Sequence, residues 1–179
     1  MIRKKSKLLV VIGLLVIMLT GCVGGSKDSS LNNSANTPED TLEKFIDFQI
    51  KELKCTSEKE AKDLIKKYDE FMAPKLTLDG EEVTLEEIKK DTYDNLIWRI
   101  DGLEPEAIEK IKRVKIKVTL EDPNWKKNKE EATVEGTLNL EITDPDSNHI
   151  EVHEVDIIIV FGKQPNGKWL ITEAYEPIS

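Results

Sequence analysis

The sequence predicts an α+β domain: helices first, then a bent antiparallel sheet. Three observations carry that expectation. Between residues 38 and about 111 the apolar residues recur at helical spacing, and from Val114 onward they recur at every second position. Three helix-start signals punctuate the first half, at Thr37, Ser57 and Thr84. One strong turn signal, Gln164-Pro165-Asn166-Gly167, closes the second half.

The first helix opens at Thr37-Pro38-Glu39-Asp40. Thr37 is a cap, Pro38 suits the first helical position, and the acids suit the positive end of the helix dipole. Its apolar stripe is Leu42, Phe45, Ile46, Gln49, Ile50 and Leu53. The second helix begins at Ser57, with Glu60 completing a capping box. Its stripe runs Ala61, Leu64, Ile65, Tyr68 and Phe71, and Pro74 stops it. Leu76 to Val83 reads as a turn or hairpin around Asp79-Gly80. A third helix starts at Thr84 with Glu87 three residues on, carries Leu85, Ile88, Leu96 and Ile100, and ends near Asp101-Gly102. Pro105 to Ile111 forms one further short helix.

Four strands follow. Val114, Ile116, Val118 and Leu120 alternate with polar residues, as do Val134, Gly136, Leu138, Leu140 and Ile142, so each strand has one wet face. In the third strand Ile150 and Val152 share one parity, whereas Val155, Ile157, Ile159 and Phe161 share the other. A slip of one residue in a period-two pattern predicts a β-bulge near His153-Glu154. Lys168 to Thr172 returns as the last strand. The sum is helices packed on one face of a curved antiparallel sheet of about four strands.

The N-terminus predicts export. Arg3, Lys4, Lys5 and Lys7 precede an apolar run of 12 residues, Leu8 to Leu19, too short for a spanning helix, which needs about 20. The tetrad Leu19-Thr20-Gly21-Cys22 resembles the lipobox of bacterial lipoproteins. That resemblance implies cleavage before Cys22 and a diacylglycerol on its sulfur, a two-chain anchor. The expected division is a signal peptide at 1–21, a lipidated cysteine and polar tether at 22–37, and one domain at 38–179. The Lys-, Glu-, Ile- and Asn-rich composition points to a Gram-positive cell, and so to the outer face of its cytoplasmic membrane.

The folded part also resembles a family. Thr37-Pro38-Glu39-Asp40 before an amphipathic helix, with the closing strand Gly167-Lys168-Trp169-Leu170-Ile171, is similar to the nuclear transport factor 2-like (NTF2-like) superfamily. More narrowly it is similar to uncharacterised Gram-positive lipoproteins that carry such a domain behind a lipobox. The resemblance implies a sheet curved into a cone with a pocket, in a superfamily that holds enzymes as well as binding and dimerising modules. The segment from Asp79 to Ile111 departs from the simplest pattern of that family.

Charge and chemistry narrow the function. The chain carries a net charge of −9, and loss of residues 1–21 removes four positive charges, leaving −13. Such a surface repels nucleic acid and anionic lipid. With Cys22 lipidated, Cys55 has no partner for an internal disulfide. Tyr68, Tyr93, Trp98 and Arg99 are the helix residues available to a pocket. His153 and Asp156 are the acid–base pair that a pocket enzyme would use. The alternation Asp144, Asp146, Asn148 lacks the glycine and distal glutamate of a calcium loop. No metal or cofactor is expected. Trp125-Lys126-Lys127-Asn128-Lys129, read as the loop joining the first two strands, is a possible membrane-contact tip, with about 1 kcal/mol for each lysine near an anionic surface. The principal expectation is a non-enzymatic extracytoplasmic domain for a protein partner or a small apolar ligand. The alternatives are a pocket enzyme and a structural or dimerising module.

Overall fold

The computed structural model describes residues 37–144, 146–147 and 149–175. The elements are α1 (Pro38–Lys54), α2 (Glu58–Ile65), a 3-10 turn (Lys66–Glu70), β1 (Met72–Leu78), β2 (Glu81–Thr84), α3 (Leu85–Asp101), α4 (Pro105–Lys112), β3 (Lys115–Lys127), β4 (Glu131–Thr143), β5 (Ile150–Lys163) and β6 (Trp169–Tyr175). Helices pack on one face of a single six-stranded sheet ordered β2-β1-β6-β5-β4-β3. All neighbours are antiparallel except β1 and β6.

The helix starts follow local chemistry. At α1 the Thr37 side chain accepts from Asp40 N (3.1 Å), and the Asp40 carboxylate accepts from Thr37 N (2.8 Å). Thr84 and Glu87 form the same reciprocal pair at α3. Ser57 caps α2 by accepting from Glu60 N (3.3 Å). Glu60, however, reaches Thr56 N (2.9 Å) rather than closing the box on Ser57.

The sheet has six strands, not four. The Asp79-Gly80 turn makes a true hairpin, with both residues at positive φ (48° and 82°), as a tight two-residue turn requires. Its arms, β1 and β2, extend the sheet beyond β6. The second helix is accordingly shorter than its apolar stripe implies: it tightens at Lys66 and ends by Glu70. Pro74 therefore lies inside β1, in the interval between Met72 and Thr77 where pairing with β6 is interrupted, a place where a residue without N–H is tolerated.

The bulge expected at His153-Glu154 is absent. Pairing of β4 with β5 is continuous from Glu131↔Gly162 to Thr143↔Ile150. The change of apolar phase has another cause: Ile150 and Val152 lie on the outer face, 54 % and 49 % exposed. The irregularities sit elsewhere. In β3, Asp122 and Pro123 together oppose the single residue Gly136 between Glu121↔Thr137 and Asn124↔Glu135, one residue extra, with Asp122 at φ 46°. Opposite them, a Cβ on Gly136 would lie 2.8 Å from both Glu121 O and Leu120 Cδ1, so only glycine fits. In β6, Thr172 is extra between Val160↔Glu173 and Phe161↔Ile171.

The core lies between α1, the 3-10 turn and the inner sheet face. Phe48 packs on Tyr68 (ring centroids 4.4 Å) and Phe71 (5.1 Å), and Phe45 meets Phe71 edge-on (6.1 Å). Beneath them Val134, Ile159, Phe161 and Ile171 are almost wholly buried. The Thr41 hydroxyl, on α1, donates to Trp169 O at 2.7 Å and ties the first helix to the last strand. Among the described residues no helix is long and apolar enough to cross a membrane.

Candidate functional site

The inner positions of β4 and β5, Ala132, Val134, Leu138, Ile157, Ile159 and Phe161, are buried and apolar and transfer no proton. Tyr68 is fully buried, with its hydroxyl 3.0 Å from the Thr92 hydroxyl. Burial pushes its phenol well above the usual range, so it stays protonated as a core tyrosine. Trp98 does not share that environment: it projects from α3 and is 71 % exposed. Tyr93 donates to Glu58 Oε1 at 3.1 Å on the surface.

His153 and Asp156 do not meet. Residues three apart on an unbroken strand project from opposite faces. His153 Nε2 lies 2.7 Å from Glu151 Oε1. Asp156 Oδ1 accepts from the hydroxyl of its cross-strand neighbour Thr137 at 2.7 Å, on the outer face. There Asp156 borders an open depression with Asp122, Asn124 and Glu135. Among the described residues no group of three or more His, Cys, Asp or Glu is placed to hold a metal ion. The Asp144 carboxylate accepts from the N–H groups of Asp146 (2.7 Å) and Ser147 (3.2 Å), capping its own turn.

The structure brings together a polar group that sequence reasoning missed. Arg99 Nη2, from α3, donates to Glu52 O (2.7 Å) and Cys55 O (2.8 Å) at the C-terminal end of α1. Burial pushes the Glu52 carboxyl up to about 7 against the pull of the Arg99 charge. Burial also raises the Cys55 thiol, which points to Ser57 O at 3.6 Å. Such a thiol is a poor nucleophile. Gln49 Oε1 and Arg99 Nε are buried without a hydrogen-bond partner. The available signal was the polar Gln49 within the apolar stripe of α1. The geometry satisfies helix-end carbonyls and offers no reacting centre.

The predicted membrane tip is rearranged. Trp125, Lys126 and Lys127 lie within β3 rather than in a loop. The Trp125 ring stacks on Phe161 (5.7 Å between centroids) and carries the Lys127 ammonium 4.7 Å above it. Lys127 also pairs with Glu39, and Lys126 with Glu135 at 2.8 Å. The remaining turn is tightened by Asn128 Oδ1, which accepts from Glu130 N and Glu131 N, and exposes Lys129. Cys22, the predicted lipidation site, lies outside the described residues.

The outer surface offers one apolar feature of a different kind. Trp98, Ile150 and Val152 are the large hydrophobic side chains left exposed among the described residues. The last two adjoin on β5; among the described residues its pairing with β6 begins at Ile158↔Tyr175.

No protein-family model and no curated protein sequence matches the chain. Among solved structures, the CamKII hub homology domain from C. reinhardtii superposes with a TM-score of 0.50 at 13 % identity, over 79 % of this chain and 97 % of that one. An NTF2-like protein of unknown function from Rhodospirillum rubrum gives a TM-score of 0.49 at 10 % identity, over 80 % and 99 %. At such identities the likeness is one of fold alone: an α+β arrangement of helices on a curved, mostly antiparallel sheet.

Proposed function

We propose that this chain is a lipid-anchored extracytoplasmic protein whose domain binds a protein partner and catalyses no reaction. The observation that carries the reading is the exposed pair Ile150 and Val152, on a domain whose other described large aliphatic residues are all buried or half-buried. Adjoining exposed apolar side chains rimmed by polar ones mark interaction surfaces. A small apolar ligand within the cone is the weaker choice, because Phe45, Phe48, Tyr68 and Phe71 fill the space under the sheet. A pocket enzyme lacks its acid–base pair, since His153 and Asp156 face opposite ways. The anchor rests on the signal-like N-terminus and the Leu-Thr-Gly-Cys tetrad.

Chemical crosslinking on intact cells, followed by mass spectrometry, tests the reading. A recurrent protein joined to residues of this domain supports it. A chain that crosslinks to nothing, at a density where other lipoproteins do, contradicts it.

A further inference from the structure

We propose that the N-terminal half of β5, residues 150–157, is an open strand edge that takes up an extended segment of a partner protein rich in lysine or arginine and aliphatic residues. This rests on the partner-binding reading above and adds the docking surface, the mode and the chemistry of the occupant.

The first support is the topology. Among the described residues β5 pairs with β4 along its whole length, but with β6 only from Ile158 onward. No described residue pairs with its other side over the preceding eight residues, where every second residue presents N–H and C=O along the edge. Such a row is a template for another strand.

The second support is a contrast between this stretch of β5 and β3, one of the two outermost strands of the sheet. β3 carries the usual defences. It is kinked by the Asp122-Pro123 bulge, bears Lys115 and Lys117 on its outer face, and is tied to α1 through Lys127 and Glu39. Bulges, proline and lysine are what keep an edge from recruiting strands. Residues 150–157 have none of these. They read Ile-Glu-Val-His-Glu-Val-Asp-Ile, half of them Val or Ile, the residues that favour strands. An unguarded edge with exposed Ile150 and Val152 beside it fits use rather than protection.

The third support is charge. Glu151, Glu154 and Asp156 flank the apolar pair. Glu151 meets His153 and Asp156 meets Thr137, not a lysine or arginine, and the nearest cation along β5 is Lys163 at its far end. A cationic strand is the complementary occupant. A second copy of this acidic segment is not, because like charges directly opposite are unfavourable.

The test uses the full chain in mild detergent, a synthetic peptide alternating lysine with valine and isoleucine, and the same peptide with glutamate for lysine. Hydrogen–deuterium exchange resolved to single amides is the readout. The lysine peptide slows exchange at alternate amides of residues 150–157 and the glutamate peptide does not. In Ile150→Lys and Val152→Lys, whose side chains are exposed and whose fold is checked by circular dichroism, the lysine peptide binds roughly tenfold or more weakly, as like charge in an interface predicts. Three results overturn the proposal: protection of these amides in the free chain, which means the chain itself fills the edge; protection along β3 instead; or no binding. Self-association that Val152→Lys abolishes also overturns it, in favour of a second copy. Crosslinking on cells that finds a partner while these amides stay unaffected removes the edge and leaves the partner; no partner in that assay removes both.

Discussion

Arg99 lies beside Glu52, yet its hydrogen bonds go to the main-chain carbonyls of Glu52 and Cys55 and not to the Glu52 carboxylate. The guanidinium thus acts as a clamp between α3 and the end of α1. Replacing Arg99 with Met takes one donor from each carbonyl, Glu52 O keeping the Cys55 N–H at 3.2 Å, and removing the partner of a buried polar group costs about 1–3 kcal/mol, less where water enters. The expected outcome is a fall of roughly 1–3 kcal/mol in unfolding free energy. Guanidinium denaturation checks it, with an unchanged slope showing that the native state stays compact.

The same arrangement makes stability depend on pH. The Glu52 carboxyl is raised from 4.5 to about 7 in the folded state, so between those values the folded chain holds more proton than the unfolded one. The Glu52 contribution is fully present below pH 4.5, and it is lost as pH rises towards 7. Each pK unit is worth about 1.4 kcal/mol, and part of the Glu52 surface is in water, so the loss is roughly 1–3 kcal/mol. Glu52→Gln removes this slope and is the more stable protein at pH 8. Thermal melts from pH 4 to 8 on both proteins decide it: parallel curves show that Glu52 does not titrate in this range.

Gly136→Ala is expected to destabilise through overlap rather than through propensity. The new methyl would stand 2.8 Å from Glu121 O, a main-chain atom held by the ladder, and 2.8 Å from Leu120 Cδ1. Overpacking of this kind costs about 1–3 kcal/mol. Urea denaturation reads the loss. Gly167→Ala, where nothing lies within 4 Å, is the control with positive-φ strain alone.

Cys22→Ala, expressed with its signal removed, is expected to leave the domain in the soluble fraction. The acidic domain is repelled by anionic lipid, and Trp125 is stacked on Phe161 rather than held at a loop tip. Fractionation after lysis is the measurement. A variant that stays with membranes points to a membrane-held partner.

The helix starts and the alternation of β3 and β4 were legible because they are local: capping and period-two burial act within a few residues. β1 was not. Ala73-Pro74-Lys75 reads as a helix stop, and the strand is set by the hairpin with β2 from Lys75 onward and by parallel pairing of Met72, Thr77 and Leu78 with β6, about a hundred residues later. Ile150 and Val152 misled for the opposite reason. An apolar residue was assumed to seek the core, and two exposed ones imitated a bulge. Of the candidate residues, Tyr68 and Trp98 shared a helical pattern but not a fate, since one faces the sheet and the other solvent. The Arg99 clamp was invisible because its acceptors are main-chain atoms, which no side-chain pattern encodes.

The place of β6 has a consequence for synthesis. It is the last of the described strands but lies inside the sheet, between β1 and β5. Until Trp169 to Tyr175 emerge, β2-β1 and β5-β4-β3 are two separate ribbons with no hydrogen bond between them. Long-range strand pairing is slow, and unfinished sheets invite wrong partners. A ribosome that stalls a dozen residues early therefore releases not a shortened domain but two halves that lack their keystone.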